Sequence, residues 1–184
     1  MPRVIRLRLW IAAGIGGVLL LAMFAWRLER ADVSPRAVTV DVCSLLRPAT
    51  VATLTPGAGG PDATVEPRID LTNVRACAYK GSRSSFSVFV ARYGRLNGRS
   101  PVDRAHAAVI FAACLNCYGR PSTPRIGDET WEFSLAVDGS DVYARVGATV
   151  VGASFHSARA TVQSRRDAAR LLVQEVMAAC GSAC

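Results

Sequence analysis

The stretch WEFSLAVDGSDVYARVGATVVGASF, residues 131–155, decides the fold class. Residues 131–136 alternate between apolar and polar side chains, and an Asp-Gly pair then supplies a turn. Residues 142–146 and 149–155 flank Gly147-Ala148, and a two-residue loop that begins with glycine is typical of a tight hairpin. The stretch therefore predicts three consecutive antiparallel strands.

Helix signals stand before and after this meander. Pro48 suits the first turn of a helix, where its missing N–H is not needed. Ser100 is a candidate N-cap for a second helix that begins with Pro101, and a third helix begins at Ser164 and ends before Gly181. In the third helix we expect a buried stripe of Ala169, Leu172, Val173, Val176 and Cys180, and an outer face of Arg165, Arg166, Arg170 and Glu175.

A pair of strands is predicted between the first two helices. These strands are Ala76–Tyr79 and Phe86–Ala91. The second is apolar on both parities except at Ser87, which favours a central position in the sheet. The order of elements is helix, two strands, helix, three strands, helix. It predicts an α+β fold, an antiparallel sheet of about five strands with three helices packed on one face.

An apolar run from Leu9 to Trp26 precedes the folded domain. As a helix its 18 residues span about 27 Å, close to the ~30 Å hydrocarbon core of a bilayer. Arginines at positions 3, 6 and 8 place the positive excess before the run, which predicts a cytoplasmic N-terminus. No pair of small residues ends the run as a cleavage site would, so a signal anchor is favoured over a cleaved signal peptide.

The anchor sets the domain organisation and the location. We expect residues 1–30 to form a transmembrane helix with an Arg-rich cytoplasmic start, and residues 31–40 to form a stalk. Residues 41–184 would form one extracytoplasmic domain. The protein would be a single-pass protein of the cell membrane with this domain outside.

The net charge of +8 does not indicate a nucleic-acid partner. Half of it lies in residues 1–30, where five arginines stand against Glu29, and is explained by membrane topology. The remaining basic residues form no stripe interleaved with aromatic side chains. We therefore predict no binding of nucleic acid.

All six cysteines follow the apolar run, and in an exported domain they indicate disulfides. They are Cys43, Cys77, Cys114, Cys117, Cys180 and Cys184. Six cysteines allow 15 connectivities. Cys114 and Cys117 close the second helix and Cys180 and Cys184 the third, which favours cross-links between the two helix ends.

Several short motifs together resemble a family of small actinobacterial envelope proteins, mostly lipoproteins or secreted proteins, that is known as a domain of unknown function. The resemblance covers about residues 41–180. Its motifs are Cys43-Ser44-Leu45-Leu46 with Pro48, Cys77-Ala78-Tyr79, Ile126-Gly127-Asp128-Glu129, Val146-Gly147-Ala148 and the Arg-rich terminal helix. The resemblance implies an envelope location, the fold and a Cys43–Cys77 disulfide, but no reaction.

Two other uses of the cysteines are open. Cys114 and Cys117 have the C-x-x-C spacing of redox sites, although a helix C-terminus disfavours the reactive thiolate. Thiol–disulfide exchange by this pair is the alternative function. Cys114, Cys117, Cys180 and Cys184 have spacings that a zinc ion tolerates, but an oxidising compartment disfavours that site. We predict no metal and no cofactor.

No other residues form a catalytic set. His106 lies near the apolar face of its helix and is expected to be a packed or rim residue, and Asp128-Glu129 are adjacent carboxylates with a capping or surface role. No serine has the Gly-x-Ser-x-Gly context of a nucleophile. The sequence predicts a non-enzymatic domain that binds an envelope protein, a lipid or a cell-wall component. An apolar concave pocket would favour a lipid or small ligand, and a flat sheet face would favour a protein.

Overall fold

The structure, a computed structural model, describes residues 33, 35, 37–64, 72–116, 120–121, 125–134 and 138–181. This part of the chain has the predicted α+β architecture, with an antiparallel sheet and three α-helices. The predicted membrane helix in residues 1–30 lies outside it. Within the described ranges, no helix combines the length and apolar character needed to cross a bilayer.

The sheet has seven antiparallel strands in the order β1-β2-β3-β7-β6-β5-β4. Their bounds are β1 Asp62–Thr64, β2 Thr72–Lys80, β3 Ser84–Tyr93, β4 Arg120–Pro121, β5 Glu129–Ser134, β6 Gly139–Val146 and β7 Thr149–Ser157. The five long strands are those that the sequence predicts, and β1 and β4 are short additions at the two edges. Val146 pairs with Thr149 across Gly147, whose φ of +56° confirms the tight hairpin.

The helices begin close to their predicted caps. A 3-10 turn, Val42–Leu45, precedes α1, Pro48–Leu54. Helix α2, Pro101–Asn116, begins at Ser100, whose Oγ accepts a hydrogen bond from Asp103 N at 3.1 Å. Helix α3, Val162–Cys180, begins before the predicted Ser164, because Thr161 is the N-cap and its Oγ1 accepts from Ser164 N.

The prediction that all three helices pack on one face of the sheet is wrong. Val88 and Val90 pack in the cluster that contains α3 and the 3-10 turn, whereas Phe89, between them, packs with α2. Alternate residues of a strand point to opposite faces, so α2 covers the face opposite α3. The central strands carry apolar side chains on both faces of the sheet, and each face is therefore packed against a helix of its own.

The main core lies between the sheet and α3. The predicted helical stripe is confirmed, since its members are all buried: Ala169, Leu172, Val173, Val176 and Cys180. They pack against Val142, Val151 and Phe155 of the sheet and against Val42 and Leu46 before α1. These strands and helices thus share one continuous apolar core.

The predicted outer face of α3 is not exposed. Glu175 is only 7% exposed and accepts hydrogen bonds from Arg47 N and Thr50 Oγ1, at 3.2 and 3.1 Å. Arg165 is buried as well, and Arg166 donates to Ser134 Oγ at 2.7 Å. These hydrogen bonds to the sheet and to the start of α1 widen the contact of α3 beyond its apolar stripe.

The described residues of the segment predicted as a stalk contact the domain. Val33 forms a bridge with Arg95, and its N donates to Arg95 O at 3.0 Å. Val38 is fully buried, and its N donates to Asn73 Oδ1 at 3.0 Å. Packing and hydrogen bonds thus hold this segment on the fold well before residue 41.

Candidate functional site

Helix α2 covers only part of its face of the sheet. Ala105 and Val109 pack on Val150, with Phe89 and Tyr143 beside them. The contacts of α2 are mainly with β3, β5, β6 and β7. The strand β2 is not among these main partners of the helix.

An apolar groove of about 390 Å³ lies over β2 and β3. All of its lining residues belong to β2 and β3, and they are Val74, Ala76, Cys77, Ala78, Ser87, Val88, Phe89, Ala91 and Tyr93. The register pairs Val74 with Ala91, Ala76 with Phe89 and Ala78 with Ser87, so these six side chains share the face that α2 covers in part. The volume falls in the range of about 300–1,000 Å³ typical of small-molecule sites.

The depth of the groove follows from side-chain size. Small residues at Ala76, Ala78 and Ala91 leave space above the strands, and the rings of Phe89 and Tyr93 rise beside it. The two aromatic residues belong to the same face of one strand. The groove is therefore a consequence of alternating small and aromatic residues.

Aromatic contacts hold the walls in place. The Phe89 ring lies 5.6 Å from the Tyr143 ring, which in turn meets Phe133 edge-on at 5.4 Å between centroids. Arg104 of α2 lies over Tyr93, 5.6 Å from the ring centroid. Burial raises the pKa of Tyr93, and raises that of Tyr143 to about 12, so both remain neutral phenols at physiological pH.

His106 and Glu129, two of the residues singled out in the sequence, meet at the far side of α2. His106 is an exposed residue, and its Nδ1 lies 2.8 Å from Glu129 Oε2. Trp131 Nε1 and Arg145 Nε donate to the same carboxylate at 2.9 and 3.0 Å. Burial raises the pKa of Glu129, but these hydrogen bonds outweigh burial and leave it below its ordinary value.

The neighbouring Asp128 has the expected capping role. Its Oδ2 accepts from Gly147 N at 2.8 Å and from Arg145 Nη1 at 3.2 Å. Arg145 thereby joins Asp128 to Glu129 across the end of the β6–β7 hairpin. Asp128 and Glu129 therefore both accept hydrogen bonds from other parts of the fold. These bonds hold α2 and the β6–β7 hairpin in place.

The cysteines fall into two groups. Cys43 and Cys77 form the disulfide that the family resemblance implies, with Cα atoms 5.2 Å apart, and it joins the 3-10 turn to β2. Cys180 is disulfide-bonded too, with a partner outside the described residues. Its sulfur is therefore not free for the four-thiolate zinc site.

The side chains of Cys114, Cys117 and Cys184 lie outside the described part of the structure. The backbone of α2 extends to Asn116, which places Cys114 in the last turn of the helix, as the sequence predicts. That position opposes formation of a thiolate. In the described ranges, no three His, Cys, Asp or Glu side chains are placed to hold a metal ion.

The groove was not predicted from the sequence, although a signal for it exists. Residues 74, 76 and 78 of β2 are small and apolar on one parity, as is residue 91 of β3. When the residues on one face of a strand are small and those on the other face are large, the side chains of the strand do not fill the first face. Which helix lies over that face cannot be read from the strand itself.

Comparison of the chain with models of known protein families gives no match, and a search of curated proteins gives none either.

Proposed function

We propose that this domain is a non-enzymatic binding module that holds an apolar group of its ligand in the groove over β2 and β3. The single observation that supports the proposal is the concave apolar lining of small side chains from two paired strands. Contact with water at such a surface is unfavourable, by about 25 cal/mol for each Å² of apolar area that a ligand covers. An apolar ligand thus gains affinity without any catalytic group.

The cellular setting of this proposal comes from the sequence. The apolar run from Leu9 to Trp26 and the arginines before it support an anchor in the cell membrane with the domain outside. The motifs from Cys43 to the Arg-rich terminal helix support a relation to actinobacterial envelope proteins. A lipid or a lipid-like envelope component is the ligand class that fits both this setting and the groove.

The binding proposal is tested by filling the groove. Ala76→Phe places a ring among the lining residues, whereas Ala52→Phe places one on the exposed surface of α1 and is the matched control. The probe is N-phenylnaphthylamine, a neutral dye that fluoresces in apolar sites. We expect the wild type and the Ala52 variant to bind the dye, and the Ala76 variant to lose binding while it melts cooperatively like the control.

Two results would contradict the proposal. One is a wild-type domain that does not raise the fluorescence of the dye. The other is equal binding by the Ala76 and Ala52 variants, which would place the dye somewhere other than the groove.

The proposed topology has its own test. Protease added to intact spheroplasts should digest the domain, because it would lie outside the membrane. A cytoplasmic marker protein that stays intact shows that the protease has not entered the spheroplasts. Complete protection of the domain under these conditions would refute the topology.

A further inference from the structure

A second cavity, of about 610 Å³, lies at the end of the sheet near the β2–β3 turn. Three cationic side chains line it: Lys80 and Arg83 from the turn, and Arg159 from the segment after β7. Asp138 is the one acidic side chain among the described residues that line it. Four serines and the imidazole of His156 complete the polar lining; the serines are Ser82, Ser84, Ser85 and Ser157.

The cations of this basic pocket are available to a ligand. Lys80, Arg83 and Arg159 are exposed, and none of the three forms an ion pair with a carboxylate within the described ranges. Elsewhere in the fold, arginines such as Arg47 and Arg145 are paired with carboxylates. A cluster of unpaired cations around a cavity is an electrostatic environment that favours an anion.

The basic pocket continues the apolar groove along the same two strands. Lys80 pairs with Ser85, and the pair before it on this face is Ala78 with Ser87, which lines the groove. Two residues along a strand span about 7 Å, so the two cavities are neighbours. From Val74 to Lys80 the distance along β2 is roughly 20 Å, compared with about 15 Å for the acyl chains of one bilayer leaflet.

We infer that the groove and the basic pocket form one site for an anionic single-chain lipid. The acyl chain lies along β2 and β3 over Ala76 and Ala78, and its phosphate head group lies between Lys80, Arg83 and Arg159. The order of surfaces, apolar and then cationic, matches the order of groups in such a molecule. This inference rests on the proposed function, since it adds the class of ligand to the same groove.

The experiment compares two lipids that differ only in the phosphate. These are a monoacylglycerol phosphate and the monoacylglycerol with the same chain, each titrated below its micelle concentration in competition with N-phenylnaphthylamine. We expect the phosphate lipid to displace the dye at a roughly tenfold lower concentration, as a few partly solvated ion pairs would provide. The preference should shrink as salt is raised, because the cations are exposed.

Matched charge variants locate the head group. The Lys80→Gln/Arg159→Gln variant removes two cations from the basic pocket, and Arg99→Gln/Arg125→Gln removes two exposed cations elsewhere. We expect the first variant to lose the preference for the phosphate lipid and to keep its affinity for the dye. The second should retain both.

The failures of the two proposals are distinguishable. The lipid inference is overturned if the wild type binds the two lipids equally, or if the Lys80/Arg159 variant keeps the preference for the phosphate lipid. In either case, binding of the dye would still support the groove as a binding site. Inorganic phosphate that binds as tightly as the phosphate lipid also overturns it, because the acyl chain would then contribute nothing. Absence of dye and lipid binding in the wild type overturns the proposed function itself.

Discussion

The ring of Phe89 lies directly against the backbone of Gly152 in the neighbouring strand. The register pairs the two residues, and a Cβ added at Gly152 would overlap Cε1 and Cζ of the ring. The same Cβ would also come within 3.0 Å of Tyr143 Cδ1. The absence of a side chain at Gly152 thus leaves room for the Phe89 ring that lines the groove.

Gly152→Ala should therefore destabilise the domain and disturb the groove. Overpacking of this kind costs about 1–3 kcal/mol, since Phe89 and Tyr143 must both move. Gly60→Ala is the control, because its Cβ would meet nothing within 4 Å, and its effect should stay within about 0.5 kcal/mol. Urea unfolding measures the stability of both variants. Equal unfolding midpoints would show that the contact between Gly152 and Phe89 does not contribute to stability.

The disulfide between Cys43 and Cys77 should contribute strongly to stability. It closes a loop with a sequence separation of 34, for which the chain-entropy model gives about 4 kcal/mol. A Cys43→Ala/Cys77→Ala variant isolates this bond, whereas a reductant would also break the disulfide of Cys180. A thermal melt of the variant that matches the wild type would contradict the prediction.

Leu171 and Leu172 provide an internal comparison on α3. Leu172 is fully buried, whereas Leu171 is 38% exposed. Leu172→Ala should cost about 2–5 kcal/mol, because it leaves a cavity between α3 and the sheet. Leu171→Ala should cost clearly less, since solvent fills the space. Denaturant unfolding measures the free energy of unfolding of both variants. Equal losses would contradict the described packing of α3.

Asp141 should make the stability depend on pH. Burial raises its pKa above the ordinary value of 3.8, although a hydrogen bond from Ser154 and the charge of His156 act in the opposite direction. A carboxyl with a raised pKa binds its proton more tightly in the folded state, so ionisation of Asp141 opposes folding above that pKa.

The corresponding variant is Asp141→Asn, which remains neutral at every pH. Relative to the wild type it should gain stability as the pH rises from below 3.8 to 7, because the wild type then carries the buried charge. Urea unfolding at both ends of this range measures the effect. A difference between the two proteins that stays constant with pH would rule out Asp141 as the source.

Much of the secondary structure could be predicted from the sequence because its signals are local. Alternation and glycine place the hairpin at Gly147-Ala148, and a serine followed by a proline places the start of α2 at Ser100. The Cys43–Cys77 pairing came from a resemblance of motifs and is present in the structure. Local signals of this kind depend on residues only a few positions apart.

The tertiary structure alone decided what each face of the sheet meets. Apolar residues on both parities of β3 show that both faces are covered, but not that α3 covers one and α2 part of the other. The burial of Glu175 depends on Arg47 and Thr50, more than 120 positions away. The groove and the basic pocket likewise exist only because pairing of β2, β3 and β7 brings distant residues together, an outcome of long-range packing that local periodicity does not encode.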